Sequence, residues 1–523
     1  MKRRKFIQTN AGFAAALLVP SVLAQAQSKN KKTLVGFSKT ELTSCIKSKT
    51  KTRQPLQAIC ASIKNGDSHV ILLSLDMIGL DETLWESLRE NIAKDVNLNP
   101  AQILIHTTHT HSAPWGARGE GTYEFVNLKE TLTDCAKQAI DHAQPASIRT
   151  GISDVGKSLS IYRRGDTGAD LGVQTFWFGY TFRENDDRPD ASALINEMKS
   201  RWLGKKPNYK PAETPVWFDG DVDSLVHTMN FENADGEVIG SIVRFSAHPH
   251  LTCACIPWMY DPDFPGVVRR VVQQETNAPV MFITGACGDL VPKEKVKYMV
   301  NWDAVPPSPY MGPSSAFYPE NEKELLNEVD RIGTTIANVA LESLKSSSAQ
   351  EINYFGIESG TFDVPLDAAL PKSQQEIELI RNALVAEYQE SLRQGNPLRE
   401  MRGLANRLNW VDWAGSASLT TISDKERKAG VKEMPLSVMV VNKQVFIFMH
   451  SEIPVETTFE LRKAFPQLDI WTMGLTNADM GYIPTARMID EGGYEGRSTI
   501  IARNAEEKIR KDVESLVARL KLV

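Results

Sequence analysis

The alternation of apolar and polar positions predicts a chain built from strands and helices in turn. From Lys32 onward, "TLVGFSKTEL" (33–42) and "PLQAICASIK" (55–64) read as strands. "SHVILLSLDMIGL" (68–80) is a stronger strand, and its nearly continuous apolar run predicts burial on both faces. A helix follows: Asp81 can cap it, and Leu84, Leu88 and Ile92 keep helical spacing. "QILIHTTHTHS" (102–112) is the next strand and residues 126–143 the next helix. Residues 224–250 read as a hairpin turning at Asp235-Gly236, residues 264–275 as a helix, and residues 278–292 as a strand that enters a glycine-rich loop. A long amphipathic helix (321–344), strands over 352–366, two helices over 373–408, strands over 435–449 and a terminal helix from Ala505 complete the order. Strand–helix alternation of this kind predicts an α/β fold, a single large composite domain around a mixed sheet core. The stretch from Gly165 to Gly220 breaks the pattern and reads as an elaborated surface segment.

Composition narrows the function classes. The chain has 523 residues, 42% of them hydrophobic and 24% charged, with a net charge of −6. These values are ordinary for a globular protein, and with no basic stripe they argue against nucleic acid as a partner. No apolar stretch reaches the ~20 residues of a transmembrane segment. Residues 1–26, "MKRRKFIQTNAGFAAALLVPSVLAQA", have a basic start, an apolar segment and a small-residue cleavage site. That is the layout of an export signal, with Arg3-Arg4 resembling a twin-arginine pair and an ordinary secretory signal as the alternative. Either sends the domain spanning residues 30–523 to the periplasm or the exterior. The six cysteines (45, 60, 135, 253, 255 and 287) form no CxxC, so they read as small buried thiols or as disulfides whose pairing is not legible.

Histidine usage changes the picture. Three of only nine histidines (His106, His109 and His111) lie at the exit of one strand. On a strand, His109 and His111 would share a face. Such a pair alone equally describes a hydrogen-bonded strand end. "FSAHPHLTC" repeats the arrangement with His248 and His250 after another apolar strand. Two such elements put four histidines at one edge of a sheet, where α/β proteins build sites, and predict a metal.

At this point the residues resemble a known family. "THTHSAPWG" is similar to the "HTHSGP" signature of neutral (non-lysosomal) ceramidases, zinc amidases that cleave the N-acyl bond of ceramide. The likeness continues in order through "VGFSKTEL", "LLSLDMIGL", "SAHPH", "DPDFPG", "ACGDLVP", "SEIPVETTFELRKAF" and "GLTNADMGYIPTARMIDEGGYEG". It covers nearly all of the chain after the signal, and matches the catalytic domain alone. Nothing in the chain resembles the immunoglobulin-like C-terminal domain of ceramidases. Carried over by residue, the resemblance implies zinc on His109, His248, Glu452 and Tyr482, a shell that leaves room for water or substrate. It implies His111 as a proton carrier or leaving-group contact and Arg163 of "IYRRG" near the acyl carbonyl, with Arg164 as the rival. His106 and His250 read as structural or pocket-wall residues, and His450 as buried beside the site. Bland readings stand beside these: Glu452 as a carboxylate at a helix N-terminus, Tyr482 as a core aromatic.

Three departures shape the expectation. Ser451 replaces the glycine that precedes the family's glutamate, Ala113 and Trp115 alter the motif's tail, and Val291 of "GDLVP" stands where the family has a serine once proposed as nucleophile. Without that hydroxyl, zinc-activated water is the remaining route, and ceramide itself is in question. The sequence therefore predicts an exported zinc-dependent hydrolase cleaving an amide (N-acyl) or ester bond. The substrate is an N-acyl lipid or, alternatively, an acylated sugar or small polar metabolite with an acyl, amide or lactone bond. A reading from another class is a secreted carbohydrate- or lipid-binding protein that has lost its chemistry.

Overall fold

The computed structural model of the chain describes residues 32–47, 51–114, 127–166, 173–175, 220–255, 259–293, 322–396, 411–491 and 493–522. Residues 1–26, which read as an export signal, Trp115 and nearly all of the 165–220 segment lie outside these residues.

Three mixed sheets follow one another along the chain. The first contains β1 (Leu34–Glu41), β2 (Gln57–Asn65), β3 (Ser68–Leu75), β4 (Ile103–Thr107) and the short β5 (Gln144–Pro145), in the order β4-β3-β2-β1-β5. The second contains β6 (Ser147–Asp154), β7 (Leu225–Glu232), β8 (Val238–Phe245), β9 (Val280–Thr284) and β10 (Gln350–Glu351), in the order β9-β8-β7-β6-β10. The third runs β11 (Phe355–Pro365), β12 (Val431–Val441), β13 (Gln444–Phe448), β14 (Asp469–Met473).

Each sheet ends in a parallel pair joined through a helix. α1 (Glu82–Asp95) joins β3 to β4, α3 (Asp263–Thr276) joins β8 to β9, and α6 (Val455–Ala464) joins β13 to β14. The helices α2 (Leu128–Asp141), α4 (Glu322–Lys345), α5 (Gln374–Gln394) and α7 (Ala505–Arg519) fill the remaining layers. A parallel connection needs such a crossover, which leaves the carboxyl ends of both strands facing one way. The sequence shows no internal repeat, yet the fold uses one strand–helix–strand device three times.

The strand faces explain the continuous apolar runs. Along β3, Val70 and Leu72 enter a central core shared by all three sheets, while Ile71, Leu73 and Leu75 pack toward α1 and α2. β9 divides in the same way, with Met281 and Ile283 central and Val280 and Phe282 toward α3 and α4. Phe446, Phe448, Trp471 and Met473 supply the third sheet's share of the central core, and Val445, Ile447 and Ile470 pack toward its helices. Alternation with burial on both sides leaves no polar face to mark the period.

Element by element, the expectations survive with trimmed ends. Asp81 caps α1, its carboxylate accepting from Leu84 N–H at 2.7 Å. The 102–112 strand stops at Thr107, and of the two helices placed over 373–408 the structure shows α5, with residues 397–410 outside the described set.

Polar bonds tie the sheets together where the parallel pairs end. Ser74 Oγ donates to Phe282 O at 2.7 Å, and Arg244 donates through Nε to Thr472 O at 3.0 Å. His106 on β4 is fully buried and reaches both other sheets: Nδ1 donates to Gly474 O and Nε2 accepts from Thr284 N–H, each at 3.1 Å. Only the neutral ring with the proton on Nδ1 makes both bonds. Burial holds its pKa down to about 3, and His450, also buried, to about 3. An unfolded histidine titrates near 6.5, so between about 6.5 and 3 the unfolded chain binds the extra protons. Stability from these rings is complete above pH ~6.5 and is lost as the pH falls toward 3. The gap in thermal midpoint between the parent and His106→Ala should therefore narrow as the pH falls across that window, whereas Asp289 and Asp479, raised to about 7, act in the opposite direction on both proteins. At neutral pH, His106→Ala strands the buried Thr284 N–H and leaves Gly474 O with Thr476 Oγ at 3.3 Å, so it should cost about 1–3 kcal/mol. A gap that stays constant between pH 7 and 4, or that is absent at pH 7, would contradict this.

Candidate metal centre

The site residues come from the loops that leave the carboxyl ends of the parallel strands. After β4 come His109 and His111, after β8 His248 and His250, after β9 Cys287 to Asp289, after β13 Glu452, and after β14 Asp479 and Tyr482. Two expectations need correcting here. The histidines do not sit on strands: β4 ends at Thr107, β8 ends at Phe245, and His109 has φ 63°. Nor do they share a sheet edge, because β4 and β8 belong to different sheets. They meet because the sheets converge. The two histidine loops are also pinned to each other, with His111 N–H donating to Pro249 O at 3.1 Å and Thr110 Oγ to Asp261 O at 2.7 Å.

Backbone carbonyls set the orientation of the key rings. His109 Nδ1 donates to Ile78 O at 2.5 Å, and His248 Nδ1 donates to Leu290 O at 3.0 Å. Both rings thus aim Nε2 into one space, with the unshared pair free while the ring is neutral. The Glu452 carboxylate occupies that space. Its Oε1 lies 3.4 Å from His109 Nε2 and its Oε2 lies 2.7 Å from His248 Nε2. His248 Nε2 and Glu452 Oε2 are buried and make no bond of hydrogen-bonding geometry among the described residues. Two electron-rich atoms so placed repel each other unless a proton or a metal cation lies between them.

Electrostatics agree with that reading. Burial lowers the His248 pKa to about 4, with nearby Arg163 pushing the same way, so the ring is neutral at pH 7. Burial opposes ionisation of Glu452, but His109 and His248 outweigh it and hold the carboxyl well below its usual range. His109 is pushed upward overall, the Glu452 carboxylate overcoming the effect of burial. An ionised carboxylate between two imidazoles suits a divalent cation.

The other expected residues surround this group. His111 is half-buried, its Nε2 3.2 Å from His109 Nε2, and its ring packs edge-on against His250. Tyr482 lies beside Glu452, whose N–H donates to Gly481 O while Ile483 N–H donates to Glu452 O, both at 2.9 Å. Arg163 is fully buried; its Nη2 donates to the Tyr482 hydroxyl at 2.8 Å and its Nε to Glu495 at 2.7 Å. Arg164 turns the other way, to Glu495 and Glu491, so Arg163 is the arginine that faces the site. Glu452 precedes the first turn of α6, which begins at Val455, and is therefore not the helix-terminal carboxylate of the alternative reading. His450 packs on Trp85 of α1.

Cys287 and Asp479 were not among the expected site residues. Asp479 is buried near Glu452 and His109, and burial with Glu452 raises its carboxyl to about 7. Both lie inside segments that carry the family resemblance, "ACGDLVP" and "NADMGY". That placement was the available signal. Val291, the position of the absent serine, is buried and pairs with Ile161 in a short ladder.

No family model matches the chain, and no curated protein matches it. Among solved structures it is similar to the neutral ceramidase of Pseudomonas aeruginosa, with a TM-score of 0.60 and 13% identity over 94% of this chain and 75% of that one. It is similar also to a ceramidase complexed with C2, with a TM-score of 0.59 and 13% identity over 94% of this chain and 76% of that one. The fold is that of the neutral ceramidases. It brings His109, His248 and Glu452 together from three sheets.

Gly288 makes that convergence possible. Its N–H donates to Ile453 O at 3.0 Å, and a Cβ added there would stand 2.9 Å from the same oxygen. Gly288→Ala must therefore push the loop after β9 away from the Glu452 backbone. The variant should lose about 1–3 kcal/mol of stability and bind added zinc more weakly than the parent. Calorimetry with zinc titration checks both, and parental zinc affinity in a correctly folded variant would show that the close approach is dispensable.

Proposed function

We propose that this protein is an exported zinc-dependent hydrolase that cleaves an amide (N-acyl) or ester bond, as its neutral ceramidase fold suggests. The observation that carries the reading is the buried pair of opposed acceptors, His248 Nε2 and Glu452 Oε2, 2.7 Å apart, with His109 Nε2 alongside. His109, His248 and Glu452 hold the metal, and Tyr482 is the weaker fourth ligand. A zinc ion bound there polarises a carbonyl and lowers the pKa of water from ~15.7 towards 7.

The chain's own residues supply the rest. Arg163 donates to the Tyr482 hydroxyl, which orients the phenol and leaves a buried Arg163 Nη1 with no hydrogen-bond partner among the described residues. That N–H is available to an oxyanion in a site shielded from water, where such a donor counts for most. His111, half-buried on the open side, carries the proton to the leaving group. Val291 offers no hydroxyl, so attack by water needs no covalent acyl intermediate. Substrates of the class are N-acyl lipids or acylated small polar molecules, and the export reading of residues 1–26 places the reaction outside the cytoplasm.

Ligand and proton carrier separate in one experiment. His109→Ala should lose zinc and activity together. His111→Ala should keep zinc and lose turnover by ~10²–10⁴-fold. Zinc content and hydrolysis of a panel of N-acyl and O-acyl substrates, measured on the same preparations, decide the matter. Full activity in metal-free protein would end the proposal, and equal metal loss in both variants would make His111 a ligand.

A further inference from the structure

Cys287 lies in the buried wall of the same site. Its Sγ, His248 Nε2 or Nδ1 and a Glu452 oxygen all lie within 4.8 Å of one another. Zinc with nitrogen or oxygen at about 2.0 Å and sulfur at about 2.3 Å needs donors roughly 3.5 Å apart. His248 Nε2 and Glu452 Oε2, 2.7 Å apart, would have to separate to that spacing on binding. The thiol is buried like the other residues of this group, with Cys287 1% exposed. His111, half-buried, forms a second group of this kind with His109 and His248.

Backbone bonds fix the thiol relative to the ligands. The Leu290 carbonyl accepts from both the N–H and the Nδ1 of His248, each at 3.0 Å, while Leu290 N–H donates to Cys287 O at 2.9 Å. On the other flank, Gly288 N–H donates to Ile453 O at 3.0 Å, and Asp289 Oδ1 accepts from Val455 N–H at 2.9 Å. One loop thus orients His248, touches the backbone after Glu452 and carries the thiol between them. Preorganisation of this kind is how metal ligands are held.

We propose that Cys287 is a sulfur ligand of the metal, giving a shell of His109, His248, Glu452 and Cys287 with Tyr482 as an exchangeable fifth donor. This rests on the metal-hydrolase reading above and goes beyond the ligand set that the resemblance implies. On binding, the S–H bond is replaced by a sulfur–metal bond and the proton leaves to solvent. Without a cation, burial and the neighbouring Glu452 carboxylate push the thiol well above its usual range. A dication reverses that balance, as it does at metal sites generally.

The test uses the full chain with its zinc replaced by cobalt, which reports a thiolate ligand by a near-ultraviolet charge-transfer band. The parent should bind about one cobalt per chain and show the band, and both Cys287→Ser and Cys287→Ala should lose it. In chelator competition Cys287→Ala should hold zinc more weakly by at least the ~10–100-fold that loss of an outer partner costs. X-ray absorption at the zinc edge of the unmodified protein should show a sulfur at about 2.3 Å, a readout that needs no variant to fold. Stoichiometric metal with neither the band nor the sulfur shell overturns the sulfur ligand and leaves the hydrolase reading standing. Failure of the parent to bind metal at all overturns both.

Discussion

One imidazole, that of His106, is bonded to all three sheets. It sits one residue before the end of β4, donates to the chain just past β14 and accepts from the last residue of β9. Its neighbours extend the knot: Thr284 Oγ donates to Thr108 O at 2.7 Å, and Asn477 N–H donates to Ile105 O at 2.5 Å. Thr108 in turn donates to Asp76, which pairs with Arg269 of α3. Every loop that supplies a metal-site residue leaves the sheets within a few positions of this knot. The relative placement of three separate sheets is thus fixed by directional bonds close to where the chemistry needs it. Apolar packing in the central core is stronger in total but does not specify angles.

Convergence carries a conformational cost. His109, Ser451, Leu475 and Asn477 all have positive φ, at 63°, 64°, 52° and 78°. Non-glycine residues adopt this region at a cost of order 1–3 kcal/mol each, and the surrounding structure must over-determine them. Ser451 shows how. The resemblance puts a glycine there, and the serine that replaces it accepts from Met480 N–H through its hydroxyl at 2.9 Å, while its carbonyl accepts from Leu475 N–H at 2.7 Å. The side chain that makes the backbone unfavourable also supplies a bond that holds it. The residue that follows is Glu452, so this local strain sets where the carboxylate points.

Much of this was legible in the sequence, and the failures have physical causes. Helices were readable from their period and the central strands from their continuous apolar runs, and α1 even shows its cap in Asp81. The number of sheets was not, because strands buried on both faces look alike whichever sheet they join, as β3 and β13 do. The HxH inference brought together residues that do meet in the fold, but through the wrong geometry. Two residues apart means one face only on an extended strand, and His109 has left the strand for a left-handed turn. Its contact with His248 is a tertiary event that no spacing encodes. Cys287 was passed over because a lone cysteine in a chain of six gives no local pattern. Its partners lie 39 positions upstream in His248 and 165 downstream in Glu452.

The charge balance of the site gives the strongest reason to expect a cation. Glu452 is ionised between two histidines, of which His248 is neutral. Around it stand two more buried carboxyls, Asp289 and Asp479, each raised to about 7 with burial as the main cause. The nearest permanent cation, Arg163, is already committed to Glu495 at 2.7 Å. Beside Glu452 the one group free to carry a balancing charge is His109, which the carboxylate itself pushes upward, while burial leaves Asp289 and Asp479 partly protonated at neutral pH. Such an arrangement is costly for folding alone, since an apolar core of the same volume would serve stability better. It becomes favourable once a dication enters, because the ion repays the desolvation of Glu452 and draws the neighbouring carboxyls toward ionisation.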